Sequence, residues 1–389
     1  MSVNLMSIEQ AYALIAELHE QATGQKTIAP VDLSSFVSVA QKTLAAGYDP
    51  VINAITQVLT RTIVAVRPYA RKFAGLEASA DRWGGIIRKL SFGDRDPEAD
   101  QTYALVDGQS IDQFVVKKPI VLETRYVGSV VYKDKYTIFT RQLDVAFSSP
   151  AEFANFMGGL MEHYSNLWEQ WLEEETRAIL ANFIAAKNNE GSVIHLLTEY
   201  NTATGASPAF TTTTIRQPAN WGPFVKFAFA RIMNISRMMT ERSQLFQTVI
   251  TGYKIMRHTP YSDQKFYMLS DFLESMNAEV LADTFHDNLV RFADVESVGY
   301  WQDIENPDEV QVTPAEIDNS GLAVVGSAVT LSNVLGVLFD RDAIGYNIYQ
   351  NEIVNSPYNG DGQYYNVFHH GRLQLQNDMT EKGVVFCLD

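Results

Sequence analysis

The sequence predicts an α+β fold on three observations. A helical apolar stripe runs from Ser149 to Lys187, strand alternation fills much of Trp83 to Phe147, and strand-like runs close the chain. The helix is the element that organises the rest. Ser149, Pro150 and Glu152 supply an N-cap hydroxyl, a proline at the first helical position and the acid of a capping box. Phe153, Phe156, Met157, Leu160, Tyr164, Leu167, Trp168, Trp171, Leu172, Ile179, Leu180, Phe183 and Ile184 then recur at three- and four-residue spacing, interrupted only at the turn of Glu175. At 1.5 Å per residue the helix is about 57 Å long, whereas globular helices average about 11–12 residues. No second segment of similar length pairs with it and strict heptads are missing, so a spine lying across a sheet is favoured over a coiled coil. Gly158 and Gly159 each cost about 1 kcal/mol against alanine in a helix interior, which predicts a kink or a close backbone contact there.

Before the spine, Ser7 to Gln21 and Ser34 to Ala46 read as amphipathic helices, the second ended by Gly47. Asp49 and Pro50 open a third, through Val66, with Val51, Ile55, Val58, Leu59 and Ile63 on one side and Pro68 as its stop. These helices lack a core of their own and are expected to pack onto another element. In the strand region, Tyr132, Asp134, Tyr136 and Ile138 alternate with Lys133, Lys135 and Thr137. Pro119 fits only an edge or a bulge, and Lys117, Lys118, Lys133 and Lys135 are charges that discourage uncontrolled edge pairing. Such a ribbon cannot bury itself and needs a neighbouring surface.

After the spine, Asn201 to Gln217 reads as a loop of small residues, and Asn220 to Arg242 as a helix. Phe266 to Leu269 is a strand, Ser270 to Thr284 a helix, and Leu289 to Tyr300 a strand. The acidic QDIENPDEVQVTPAEIDNSG reads as loop. LAVVGSAVT, VLGVLFDRDAIGYNIYQ, GQYYNVFHHGRLQLQ and GVVFCLD are strand-like, with a tight turn at Asp340 to Ala343.

A chain of 389 residues, 46% hydrophobic and 20% charged, has ordinary globular composition and can bury a sizeable core. The first residues lack a basic n-region with an apolar h-region, and no run of about 18 apolar residues occurs, so neither secretion nor a membrane span is expected. Cys387 is the single cysteine, which excludes an intrachain disulfide and cysteine-based metal sites. The net charge of −16, from 30 basic and 46 acidic residues, argues against a protein whose main task is gripping phosphate backbones. From Arg61 to Arg141, 14 basic residues face 10 acidic ones, a balance of +4; from Asp271 to Gly321, 13 acids face Arg291 alone, a balance of −12. Opposite patches on one chain suit head-to-tail self-association as well as two solvated faces.

The sequence offers little chemistry. His19, His163, His195, His258, His286, His369 and His370 make no metal-binding spacing, and His369 and His370 point to opposite faces of their strand. There is no nucleophile elbow, phosphate loop or dinucleotide fingerprint. Glu173, Glu174 and Glu175 fan around the helix rather than converge, and read as a solvated face or a contact with a basic partner.

The order of helical arm, long ribbon, spine helix, mixed region and return strands resembles the HK97-fold major capsid proteins of tailed bacteriophages. FVVKKPIVLETRYVGSVVYKDKYTIFTRQLDVAFSSPAEFANFMGG is similar to the segment leading from extended loop into spine in small phi29-like podophages, through Phe114, Pro119, the Val127 to Ile138 strand and Phe153. LGVLFDRDAIGYNIYQNE, YYNVFHHGRLQLQ and GVVF are similar to the family's last strands. The resemblance covers roughly Tyr69 to Asp389. It implies an HK97-like α+β capsid fold with an N-terminal arm at 1–82 and an extended loop at 83–147. The peripheral domain would comprise 148–219 and 338–389, with the spine at 150–187, and a mixed axial domain 220–337. It further implies a non-enzymatic major capsid protein, without cofactor, that assembles with itself as pentamers and hexamers into an icosahedral shell around double-stranded DNA. Scaffolding, portal and other head proteins would be partners, the packaged DNA would be met non-specifically, and no membrane is involved. The place would be the virion, assembled in the bacterial host cytoplasm. Sites then are interfaces, and the candidate inter-subunit residues are Lys117, Lys118, Arg125, Lys133, Lys135, Glu173 and Glu174. An encapsulin-like compartment shell and a cytosolic enzyme of unfamiliar type are the competing readings.

Overall fold

The computed structural model describes residues 6–27, 29–61, 69–77, 86–100, 102–281 and 295–389. In chain order the helices and strands are α1 (Ile8–Thr23), α2 (Leu33–Ala45), α3 (Tyr48–Arg61), β1 (Ile86–Phe92), β2 (Val121–Val127), β3 (Val130–Phe139), α4 (Thr140–Ala146) and α5 (Pro150–Glu190). There follow β4 (Val193–His195), α6 (Leu196–Thr204), α7 (Thr212–Ile215), α8 (Pro218–Thr240), β5 (Gln264–Leu269), α9 (Ser270–Leu281) and β6 (Val295–Val298). The last strands are β7 (Val310–Val312), β8 (Ala315–Ile317), β9 (Ala323–Val325), β10 (Val329–Leu331), β11 (Val334–Asp340), β12 (Ile344–Asn355), β13 (Tyr364–Asn377) and β14 (Gly383–Cys387). The chain divides into one unit of Met1–Gly85, Gly128–Glu175 and Tyr346–Leu375 and a second of Ile86–Val127, Thr176–Gly345 and Gln376–Asp389.

In the first unit, Ser7 and Gln10 form a reciprocal capping box at the start of α1, and Gly24 closes the helix in the left-handed region at φ 71°. Asp32 caps α2. The apolar faces of the three N-terminal helices, with Leu14, Ile15, Phe36, Ile52 and Ile55, share one core with Phe153, Met157 and Leu160 of α5 and with Ile138 and Val367 of the sheet. The arm therefore does pack onto another element, the first half of the spine. Beneath α5 lies a three-stranded sheet in the order β12-β13-β3. β3 pairs antiparallel with β13, Phe139 opposite Tyr364 through Val130 opposite Leu373. The expected alternation holds: Tyr132, Asp134, Tyr136 and Ile138 turn inward, while Val131, Lys133 and Lys135 are exposed.

In the second unit a five-stranded sheet runs β4-β14-β11-β5-β6. β11 is antiparallel to both β14 and β5, while β4 and β6 join in parallel at the edges. Phe266, Met268, Leu338, Val384 and Phe386 bury one face against Phe224, Ile232 and Ile235 of α8 and Phe272 and Met276 of α9. The alternate residues face the other way, where Phe339 meets Phe183 of α5 at 5.7 Å between ring centroids and stacks on Tyr267 at 5.8 Å. A sheet covered on both faces explains why every residue of β11 is buried and why its sequence is a continuous apolar run.

Several expectations need correction. α5 runs as one helix from Pro150 to Glu190 through both glycines, and a Cβ added at Gly159 would meet nothing within 4 Å, so no close approach requires a glycine at 159. The loop expected at 201–217 starts inside α6, which Gly205 ends at φ 63°, and contains α7, capped by Thr211. The acidic stretch expected to be loop contains β7 and β8, held by pairing with β10 and β9. α8 begins at Pro218, before the Asn220 start. The continuation of α3 to Val66, the start of the extended loop at Trp83, the end of α9 at Thr284 and the strand start at Leu289 lie outside the described residues.

Candidate assembly surface

β1 and β2 form an antiparallel ribbon in the second unit, Arg88 opposite Arg125, Leu90 opposite Glu123 and Phe92 opposite Val121. The strand period of two divides β1 between two environments. Lys89 and Ser91 turn inward, while Arg88, Leu90 and Phe92 are exposed. Inside, Lys89 Nζ donates to Asp378 Oδ2 at 2.7 Å and also to Glu381. Arg257 Nη1 lies 2.9 Å from Glu381, and its Nη2 donates to Ser91 Oγ at 2.9 Å. Asp378 is fully buried and accepts from both the amide and the hydroxyl of Thr380, at 2.9 and 2.6 Å. Burial by itself raises the Asp378 carboxyl, but Lys89 and the bonds from Thr380 outweigh it and the net direction is down. Glu381 is pushed up, because burial exceeds what Lys89 and Arg257 return. The ribbon is thus fastened to the turn before β14 by charge inserted into a poorly solvated site, where an unpaired member is costly.

Outside, Arg88 and Arg125 would repel across the strands. Glu123 Oε1 accepts from the Nε of both, at 2.7 and 2.6 Å, and these bonds hold its carboxyl below the usual range. The loop joining the strands, Gly93 to Ile120, is rooted by Asp94. Its amide donates to Lys254 O at 2.5 Å, and its carboxylate accepts from the Met256 amide at 3.0 Å and pairs with Arg242. Beyond that root the loop exposes Tyr103 (95%), Val106 (67%), Phe114 (80%) and Val116 (80%), a set of large apolar side chains without a partner surface among the described residues. Residues 86–127 carry 6 basic and 7 acidic side chains, a balance of −1. The +4 of Arg61 to Arg141 therefore belongs to the flanks, and the ribbon itself is near-neutral rather than basic.

The candidate residues fall in different places. Lys117 pairs with Glu98 on the exposed loop, and Lys118 is exposed beside it. Arg125 is exposed on the outer face of β2. Lys133 and Lys135 lie on the outer face of β3, an edge strand, with the Lys133 ammonium 5.2 Å from the Phe368 ring. Glu174 is exposed and accepts from Gln170 at 2.9 Å. Glu173 is buried: it accepts from the Tyr69 hydroxyl at 2.5 Å and the Lys72 amide at 3.3 Å, so it is committed within its own unit. The lysines and Arg125 share exposure but the two glutamates do not act as a pair.

Sequence reasoning missed the charges that the core contains. Lys187 is fully buried, its ammonium donating to Glu190 at 2.9 Å and to the carbonyls of Phe246, Met379 and Glu381 at 3.0, 3.1 and 3.2 Å. Its position three and four residues after Ile184 and Phe183 placed it on the apolar stripe, a signal that could have revealed it. His369 is buried among Tyr132, Tyr164 and Trp168, its Nε2 2.7 Å from Asn351 Oδ1 and its Nδ1 without a partner. Burial pushes its pKa down to about 4. Among the described residues no cluster of metal-ligating side chains occurs, and no helix is long and apolar enough to cross a membrane.

The model of the Phi29-like phage major capsid protein family matches residues 13–386. No curated protein matches the chain. Among solved structures, the chain is similar to one in the capsid structure of Staphylococcus phage Andhra, at 14% identity and a TM-score of 0.55, over 85% of this chain and 87% of that one. It is also similar to a chain in the structure of the head fiber and inner core protein gp22 of native bacteriophage P68, at 12% identity and a TM-score of 0.57, with the same coverage of 85% and 87%. At these identities the two likenesses speak for the fold.

Proposed function

Because the chain belongs to the Phi29-like phage major capsid protein family, we propose that its copies form an icosahedral shell around double-stranded DNA and that the β1–β2 ribbon reaches onto the next copy. It is a major capsid protein with an HK97-like α+β fold, a structural component of the virion whose copies assemble into the shell of the phage head. In the finer reading, 83–147 serves as the extended loop and 1–82 as the N-terminal arm. Residues 148–219 and 338–389 make the peripheral domain, and 220–337 the axial domain that meets its neighbours around five- and six-fold axes. Scaffolding and portal proteins are its further partners, assembly takes place in the host cytoplasm, and the protein catalyses nothing. The observation that carries the inter-subunit role of the ribbon is its exposed apolar set, headed by Tyr103, Phe114 and Val116. A monomer rarely presents so many large apolar side chains on one projection unless another surface covers them. Negative-stain microscopy of the protein, expressed alone and with its neighbouring head genes, tests the reading. Closed shells that protect DNA from nuclease in the phage particle support it. Small dispersed oligomers under every condition overturn it, and closed shells that hold an enzyme instead of DNA favour a compartment.

A further inference from the structure

Two segments of the second unit present backbone without a strand partner on at least one side, the first irregular and the second a strand. The first is Phe114 to Lys118, in the loop between β1 and β2, where Phe114, Val115 and Val116 are 80%, 60% and 80% exposed. Among the described residues, no backbone hydrogen bond is made by the amides of Val115 to Lys118. The second is β9, which among the described residues pairs only with β8. Asn182 of α5 takes up the outer side of β8: its Nδ2 donates to Ala315 O at 3.1 Å and its Oδ1 accepts from Ala315 N at 2.7 Å. Ala315 stands opposite Val325. In an antiparallel pair, residues facing each other turn their backbone groups the same way, inward or outward, in alternation. Val325, and Ala323 two residues before it, therefore turn N–H and C=O to an open edge, bordered by the exposed side chains of Leu322 (65%) and Val325 (80%).

The charges of the two segments are opposite. Phe114 to Lys118 ends in Lys117 and Lys118, whereas residues 303–325 hold six acids, Asp303, Glu305, Asp308, Glu309, Glu316 and Asp318, and no lysine or arginine. We propose that residues 114–118 of one copy add as a strand to the β9 edge, Ala323–Val325, of the next copy, with the two lysines over the acidic run. This rests on the shell-forming reading above, which supplies the second copy, and it names the surface that receives the loop. Backbone bonds to Ala323 and Val325 give the attachment, and the Phe-Val-Val side chains against Leu322 and Val325 give the choice of partner.

Two measurements on assembled shells test it. Val116→Cys combined with Val325→Cys should give disulfide-linked multimers on mild oxidation, and neither single variant should; native Cys387 is buried and does not compete. In shells of unaltered protein mixed from light and isotope-labelled subunits, a zero-length carbodiimide should join Lys117 or Lys118 to Glu316 or Asp318 of a differently labelled copy. Shells that form normally but give no multimers, with both lysines joined only to carboxylates elsewhere, would overturn the inference and leave the capsid reading intact. Failure of the unaltered protein to form shells under any condition would overturn both.

Discussion

Trp168 of α5 lies directly over Gly371 of β13: a Cβ at that glycine would come 2.1 Å from Cζ3 of the indole and 2.5 Å from Cη2. Neither atom can retreat, because the indole is packed between Tyr132, Trp171 and His369 at centroid distances of 5.0 to 5.4 Å. Overpacking of this kind costs about 1–3 kcal/mol, and Gly371→Ala should lower the unfolding free energy by that amount. Trp168→Ala should lower it by about 3–5 kcal/mol. With the indole gone the added methyl has room, so the double variant should lose less than the sum of the two. Denaturant unfolding of dissociated subunits measures all three; strict additivity would show that ring and glycine do not meet.

That contact marks the boundary of what the sequence discloses. The apolar face containing Trp168 was readable because helical period is local, and so was the alternation of Tyr132, Asp134 and Tyr136. The partner of β3 was not: Thr137 bonds Asn366, 229 residues away, and alternation identifies a face without naming the strand beside it. α6 was missed because its Asn-Thr-Ala-Thr end has turn-like composition. Tertiary burial of Leu196, Leu197 and Tyr200 overrides that preference. The anchor of the ribbon was illegible for the same reason as the β3 pairing, since Lys89 and Arg257 are distant in sequence from each other and from Asp378 and Glu381, and each alone reads as surface charge. The exposed apolar loop residues were visible as letters, but only the fold shows that they stay exposed among the described residues.

His369 gives stability a pH dependence of definite sign. Its folded pKa of about 4 lies below the ordinary 6.5, so the unfolded chain binds the proton more readily. Its contribution is fully present above pH 6.5 and is lost as pH falls from there toward 4, by on the order of 3 kcal/mol in total. The charges that bear on it are Asp134, which favours the proton, and His370, which opposes it. His369→Gln keeps a donor for Asn351 and does not titrate. Unfolding midpoints between pH 7 and 4 should therefore fall less steeply in the variant, and parallel curves would refute the assignment.

Lys89 is the ion whose loss should free the ribbon. Lys89→Met leaves Asp378 buried without its cation, and breaking a buried pair from one side costs about 3–5 kcal/mol. The loss should appear as lower unfolding free energy together with new protease cuts in β1 and β2. Unchanged values for both would mean that Arg257 and Thr380 hold Asp378 and Glu381 without help.

Assembly should be governed by apolar contact more than by long-range charge. The ribbon is near-neutral, and exposed pairs such as Lys117 with Glu98 are worth only about 0–1 kcal/mol each and weaken with salt. Phe114→Ser with Val116→Ser should impair shell formation more than a change from low to molar salt does for the unaltered protein. Light scattering during assembly decides it; the reverse order would make charge the driving term.

The loop from Gly93 to Ile120 should change state on assembly. Residues 95–100 and 102–119 are exposed, and past the Asp94 root the loop is tied by ion pairs of Asp96 with Lys254 and Glu98 with Lys117, both at the surface. Ordering each backbone residue costs roughly 1–2 kcal/mol, which such pairs cannot offset along the length of the loop. In dissociated subunits trypsin should therefore cut first after Arg95 or Lys117, while Lys89, in strand and held by Asp378, resists. In shells the same bonds should be protected, because the loop then lies on the next copy. Mass identification of the first fragments from both states is the measurement. Equal cleavage in both, or full protection in the free protein, would show that this ribbon serves its own subunit and that another surface joins the copies.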